Sequence, residues 1–292
     1  MKKVIKIIFI VIVALAVIVA GSFAYKILFR RAYKGEVVAL KVGDKIDDIR
    51  EDFDPADLGL TLAWSDDFEG TELDSSKWAP CPNYERSDGG AKWEDEMVEL
   101  DGKGNLLLKV GLNKDGKIAS SGVRTVTKDY RILFAQAKGY FEIRTTLQSI
   151  PGYWSAFWLL GFGMNNVGNG AVDGAEIDIF ESFDLKGGRI GHAIHWDGYG
   201  EDTKSMGEET TAPNVYDGDY HTFGLLWADD GYFFYIDGKL VATIDESHPE
   251  YPGACQDPCY LKITTEVGSW AGYILKANLP DQIKVDYVRV YK

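Results

Sequence analysis

The sequence predicts an all-β fold: a two-sheet β-sandwich or jelly roll of the concanavalin A-like type, with a concave cleft, preceded by an N-terminal apolar helix. Three observations predict it. Beyond Leu60 the chain is a succession of short alternating or apolar runs separated by Gly, Asp and Asn, with no long segment of 3.6-residue period. Aromatic residues are abundant (8 Trp, 16 Tyr, 14 Phe), which suits pleated, half-buried surfaces. At 292 residues and 46% hydrophobic content the chain can bury one large core, and all-β domains often run past about two hundred residues undivided.

The N-terminus comes first. Met1-Lys2-Lys3 is a basic start, followed by the apolar stretch Ile7–Ala20 and by small residues, Ser22 and Ala24, at the positions a signal peptidase reads. Ile7 to Tyr25 is also nearly long enough to span a bilayer, and Lys26, Arg30 and Arg31 just beyond it hinder translocation. Residues 1–25 are therefore a signal peptide or a membrane anchor, with the anchor preferred; either places the body outside the cytoplasm. Residues 26–58, including DKIDDIREDFDPAD, are polar and aperiodic and read as a linker, and 59–292 as one domain. AWSDDFEG opens that domain, and MVELDGKGNLLLKVG reads as a hairpin turning at Asp101-Gly102 and Gly104-Asn105. GYFEIRTTL, WSAFWLLG, AEIDIFES, IGHAIHWDG, YHTFGLLWADDGYFFYIDGKLVATI, YLKITTEVG and IKVDYVRVYK supply the remaining strands.

Of 31 Lys/Arg, seven lie in residues 1–34 with no acid beside them, leaving 24 against 45 acids, a net −21, in the rest. Such a body is repelled by nucleic acid, whose binding relies on neutralising phosphates, and it suits a neutral polymer. A monomer is expected. Of the three cysteines, one extracytoplasmic disulfide is expected, either Cys255–Cys259 or Cys81 with one of them. Zinc is disfavoured because no nearby His completes a ligand set.

The run Glu176-Ile177-Asp178-Ile179-Phe180-Glu181 places three carboxylates in what otherwise reads as a buried strand. Glu176 and Asp178 share one face while Ile177 and Ile179 pack on the other. Glu181 has the wrong parity and joins them only if a residue is inserted, most simply by a β-bulge near Ile179-Phe180. Two carboxyl groups about 5–5.5 Å apart across a sugar bond are what a retaining glycoside hydrolase needs. This chemistry assigns Glu176 as nucleophile, Glu181 as acid/base and Asp178 as the charge that tunes and orients them. Trp154 and Trp158 share parity and read as a stacking platform for sugar rings. His195 is expected to reach the groove near Glu181, with Trp196 in the core. Glu266 and Trp270 are placed at the cleft edge.

EIDIFE resembles the E-x-D-x-x-E signature of glycoside hydrolase family 16, in the bulged form of its laminarinase-like members. WSDDFEGTELDSSKW, GYFEIR, GYWSAFWLLG, YHTFGLLW, FYIDGK and VDYVRVYK resemble that family's strands in order, so the resemblance covers roughly Leu60 to Lys292. It implies a jelly roll and retaining hydrolysis of internal β-linkages in glucans or galactans, with no cofactor for catalysis. It also implies Trp154 and Trp158 in sugar subsites, His195 close to the acid/base, and a structural calcium near Asp286 and the Gly104 carbonyl. The leading expectation is an endo-acting retaining β-glycanase on β-1,3-glucan. A β-galactan hydrolase of the agar, porphyran or carrageenan type comes second, and a cell-wall transglycosylase third. A sulfated polymer would need basic groups in the cleft, for which Arg124, Arg131, Arg144 and Arg189 are candidates. From another class, a carbohydrate-binding module without catalysis would lack one of the two glutamates.

Overall fold

Strand alternation beyond Leu60 becomes two packed sheets. The computed structural model describes residues 39–43, 52–84 and 90–292, within the unit Val38–Lys292. The predicted apolar helix of residues 1–25 and most of the predicted linker lie outside the described residues. No helix among the described residues is long and apolar enough to cross a membrane.

The strands are β1 (Leu62–Asp66), β2 (Ala79–Pro80), β3 (Lys92–Trp93), β4 (Val98–Leu100), β5 (Leu106–Leu112), β6 (Ile118–Ser120), β7 (Gly122–Arg124), β8 (Gly139–Thr145) and β9 (Tyr153–Gly161). The second half holds β10 (Glu176–Asp184), β11 (Arg189–Trp196), β12 (Lys204–Thr211), β13 (His221–Trp227), β14 (Gly231–Ile236), β15 (Lys239–Asp245), β16 (Cys259–Val267) and β17 (Asp281–Tyr291). One sheet runs β15-β14-β13-β8-β17-β5-β6-β3, with β1 also on β17 and β4 on β5; the other runs β12-β11-β10-β9-β16-β7-β2. All pairs are antiparallel except the short β3–β6 pair. The β4–β5 hairpin is as predicted: Asp101 accepts from the backbone N–H of Lys103 and Asn105, and Gly102 and Gly104 supply the positive φ that the turn requires. β12 was not predicted. Its sequence KSMGEETT is polar on both faces because it is an edge strand, so no apolar alternation marks it.

Alternation also decides which side chains meet. Phe141, Ile143, Phe223, Leu225 and Val288 of one sheet pack against Phe157, Leu159, Ile177, Leu261 and Ile263 of the other in one buried cluster. Each contributes about 1.5–3 kcal/mol on burial. A smaller cluster covers the outer face of the first sheet, where Val42 and Phe53 pack on Tyr140, Leu226, Phe233 and Tyr235. The N–H groups of Leu40 and Val42 donate to Asp229 and Asp230. These parts of the predicted linker are therefore docked, because their few apolar residues find an apolar surface there. The expected disulfide is likewise corrected. Cys81, Cys255 and Cys259 are buried free thiols; the last two belong to the core cluster and both lie against the Asp257 carbonyl.

The predicted bulge is present. Against β9, Asp178 pairs with Trp158 but Phe180, not Ile179, pairs with Phe157, so Ile179 is the inserted residue. Consecutive Ile179 and Phe180 both point into the core, and Glu181 turns to the face of Glu176 and Asp178. A bulge frees a backbone carbonyl, and His192 of β11 takes it: its Nδ1 lies 2.7 Å from the Ile179 oxygen. The other ring nitrogen lies 3.2 Å from Thr210 Oγ1. Burial pushes the His192 pKa down to about 4, so at neutral pH the ring is uncharged, with Nδ1–H donating and Nε2 accepting from Thr210.

The unfolded chain takes up this proton near pH 6.5, whereas the folded chain resists until about 4. The His192 contribution is thus present above pH 6.5 and lost as pH falls towards 4, by about 3 kcal/mol for a shift of this size. His192→Phe is expected to destabilise the protein by about 1–3 kcal/mol at pH 7. In denaturant unfolding, the gap between wild type and variant should shrink as pH falls across that window. A gap that stays constant would place the proton elsewhere.

Candidate active site

The bulge sets the site on the outer face of the second sheet. Glu176 lies opposite His195 of β11 and Leu160 of β9; Asp178 opposite Ala193 and Trp158; Glu181 opposite Gly191 and Ala156. Small residues flank Glu181 on both sides, Gly191 and Ala156, and Asp178 on one, Ala193. Below them, Ser182 returns to the other face, where its hydroxyl donates to Gln148 Oε1 at 2.7 Å and accepts from the N–H of Ser155 at 2.9 Å. This buried network ties β9 to β10 immediately beyond the irregular register.

The three acids have different surroundings. Glu176 accepts a hydrogen bond from the Tyr199 hydroxyl. Burial and then the Asp178 charge push its pKa up to about 7, while His195, the Tyr199 donor and Lys262 hold it down. Glu181 accepts from the Trp154 indole N–H at 3.1 Å. Burial, then the charges of Asp178, Glu266 and Glu176, push Glu181 well above the ordinary carboxylate range, against the Trp154 hydrogen bond. Asp178 is buried, and its Oδ2 lies 3.2 Å from His195 Nε2. Burial works against an imidazolium at His195, but contact with Asp178 and the charges of Asp178 and Glu176 outweigh it and raise the His195 pKa. The site can therefore hold one carboxylate ionised and one carboxyl protonated near neutral pH, which is the division of labour that double displacement at a sugar needs.

His195 thus faces the groove as predicted, but it contacts Asp178 rather than reaching near Glu181, because the antiparallel register sets it opposite Glu176. Trp196 is in the core. Trp154 and Trp158 do share a face, yet they form no open platform: they are 3% and 8% exposed. Trp158 donates to Thr264 Oγ1 at 3.0 Å, and the Lys262 ammonium sits 3.4 Å from its ring centroid. Glu266 lies on the floor rather than the edge, in β16, and accepts from Thr264 at 3.2 Å. Trp270 is at the edge, 48% exposed, stacked on Phe183 and edge-on to Trp154.

Sequence reasoning missed Tyr199 and Lys262. Tyr199 is in the loop after β11, which Asp197 fixes by accepting from the Gly168 N–H and from Lys204. Its nearness in sequence to His195 was the available signal. Lys262 has the parity of Glu266 in YLKITTEV, which places both on the site face.

Among the described residues, the cluster with spacing for an ion is Glu176, Asp178 and His195, the same groups that carry the chemistry. The residues expected around a calcium, Asp286 and Gly104, lie outside that cluster. One oxygen of the Asp286 carboxylate is held at 2.5 Å by Arg144, and Gly104 takes the positive φ of the β4–β5 turn. Arg189 is paired with Asp184 and Glu209. Of the arginines considered for the cleft, Arg124 in β7 and Arg189 in β11 lie in the site sheet.

Residues 60–292 match the family model described as Beta-porphyranase A-D, GH16 domain. The chain is 31% identical over 271 residues to glucan endo-1,3-beta-glucosidase A1 of Niallia circulans, covering 82% of this chain and 39% of that protein. It is 28% identical over 250 residues to keratan-sulfate endo-1,4-beta-galactosidase of Sphingobacterium multivorum, covering 79% of this chain and 55% of that protein. The chain thus spans less than two thirds of the length of these two relatives. The laminarinase catalytic domain of Thermotoga maritima MSB8 superposes with a TM-score of 0.64 at 25% identity, over 80% of this chain and 98% of that one. The match runs through the whole sandwich and includes the bulged acid strand, so the chain belongs to glycoside hydrolase family 16, in the family of the Beta-porphyranase A-D domain.

Proposed function

We propose that the chain is an endo-acting retaining β-glycanase working by double displacement. One observation carries this reading: the Ile179 bulge sets Glu176 and Glu181 on one face, in surroundings that separate their proton affinities. Glu176, ionised with the help of Tyr199 and His195, attacks the anomeric carbon. Glu181, kept protonated by burial and neighbouring negative charge, gives its proton to the departing glycosidic oxygen. Having lost that proton, Glu181 draws one from the water that releases the sugar from Glu176. Asp178, steadied by His195, orients the pair.

The first polymer to test is β-1,3-glucan, the linkage named in the Niallia circulans relative. A galactan is the second reading, favoured by the family description and the keratan-sulfate relative. The apolar N-terminal run supports work outside the cytoplasm, with the chain anchored or secreted, and a monomer suffices because all three acids come from one strand.

Glu176→Ala should lower turnover on the cleaved polymer by more than about a hundredfold with the fold intact by circular dichroism, since groups of this kind contribute about 10²–10⁴. Glu181→Ala should lose as much on polysaccharide but recover glycosylation on an aryl glycoside whose phenolate leaves without a proton. No recovery would remove Glu181 from the acid role.

The pH profile follows from the same geometry. Activity needs Glu176 ionised, so kcat/KM should rise with pH through about 7 rather than through the ordinary carboxylate range. Tyr199 stabilises the ionised form, so Tyr199→Phe should move that rise to higher pH. A rise that stays in place would show that the hydroxyl does not bond the nucleophile in solution.

A further inference from the structure

Tyr199 reaches the nucleophile from a loop that is fixed independently of it. The residue lies between β11 and β12, and its ring is 60% exposed, so core packing does not hold it. The base of the loop does. Asp197 accepts from the Gly168 N–H at 3.1 Å and from Lys204 at 2.8 Å, and the Gly198 N–H donates to the Met164 carbonyl at 2.7 Å. On the far side, the Thr203 hydroxyl lies 2.9 Å from the Gly198 carbonyl and 2.7 Å from that of Gly200. Backbone on both sides of Tyr199 is thus tied down, and the phenol is delivered to the acid strand.

Its partner is one atom of the nucleophile. The hydroxyl donates to Glu176 Oε2, which leaves Oε1 for the attack on the sugar. His195 turns instead to Asp178, at 3.2 Å. Burial, then the Glu176 charge, push the phenol pKa far above its ordinary value, so the group keeps its proton and acts as a donor.

The strength of this bond changes during double displacement. In the first step an electron pair on Oε1 forms the bond to the anomeric carbon, the glycosidic bond breaks, and its oxygen takes the Glu181 proton. Glu176 is then a neutral ester with Oε2 as its carbonyl oxygen. Hydrogen bonds to an ionised acceptor are roughly twice as strong as those to a neutral one, so the Tyr199 bond weakens as the ester forms. In the second step a water oxygen bonds to the anomeric carbon and its proton goes to Glu181. The bond from that carbon to Oε1 breaks, the electron pair restores the carboxylate, and the strong hydrogen bond returns.

We propose that Tyr199, within the glycanase reading on which this role rests, is a positioning residue that acts through Glu176 to speed the second displacement and restrain the first. By favouring the free carboxylate over the ester, the hydroxyl limits how much covalent glycosyl-enzyme accumulates.

The test separates the two displacements. Dinitrophenyl β-laminaribioside, with dinitrophenyl β-galactobioside for the galactan reading, loses its phenolate without a proton, so the second step limits kcat and kcat/KM reports the first. Measurements belong on the pH plateau above the Glu176 rise, where the nucleophile is ionised in every variant. In Y199F, kcat should fall about threefold to tenfold, the difference between a charged and a neutral hydrogen bond. Its kcat/KM should hold or rise, so KM falls with kcat. Acid quenching at a subsaturating glycoside concentration, read as added sugar mass on the intact protein, should find more glycosyl-enzyme in Y199F than in the unsubstituted protein. T203V loosens the loop but keeps the hydroxyl, and should show the same split to a smaller degree; it stands in if thermal melting shows that Y199F does not fold. Parallel loss of kcat and kcat/KM overturns the proposal, because the loop would then serve the structure alone. An unchanged kcat also overturns it. If the unsubstituted protein cleaves neither glycoside, the glycanase reading fails and this role with it; cleavage without the split removes the Tyr199 role alone.

Discussion

One hydrogen bond supports the site: the buried, neutral His192 ring on the carbonyl of the inserted residue Ile179. Without an insertion, Glu181 would point into the core, where an unpaired carboxylate is costly. With it, two consecutive apolar side chains, Ile179 and Phe180, enter the core and the third acid turns outward. The insertion leaves the ladder one backbone oxygen short of a partner, and the histidine fills that place from the neighbouring strand. Core packing and site geometry are thus two faces of one backbone irregularity.

The acids are differentiated by their neighbours rather than by their own chemistry. Glu176 has a phenol, an imidazole and a lysine within electrostatic reach; Glu181 has one indole donor and three negative neighbours. Both are half-buried, so differences in surroundings are less screened than they would be in open water. The Trp158–Thr264–Glu266 chain of hydrogen bonds belongs to the same arrangement, since it fixes the charge of Glu266 near Glu181.

Much of this was legible in the sequence. The parity of Glu176, Asp178 and Glu181 required an insertion and located it to within a residue. The β4–β5 turn was legible through Asp101 and its two glycines. What stayed hidden has physical reasons. β12 is polar on both faces, so periodicity is silent there. Tyr199 acts from a loop whose path depends on the buried Asp197, a contact between segments far apart in sequence. Lys262 reads as an ordinary solvated residue until its strand is known to be central and its face to be the floor. The tryptophans were identified by face but not by use, because an indole edge bonded to Glu181 or Thr264 looks in sequence like one open to a sugar.

The docked stretch around Val42 and Phe53 has a practical consequence. It lies against Tyr140, Phe233 and Tyr235, on the back of the sheet that does not carry the acids. Leu40 and Val42 are therefore held on the rear of the sandwich. Immobilising the sandwich on a bead or electrode through that face should leave the groove turned outward, free to receive long, stiff polymers.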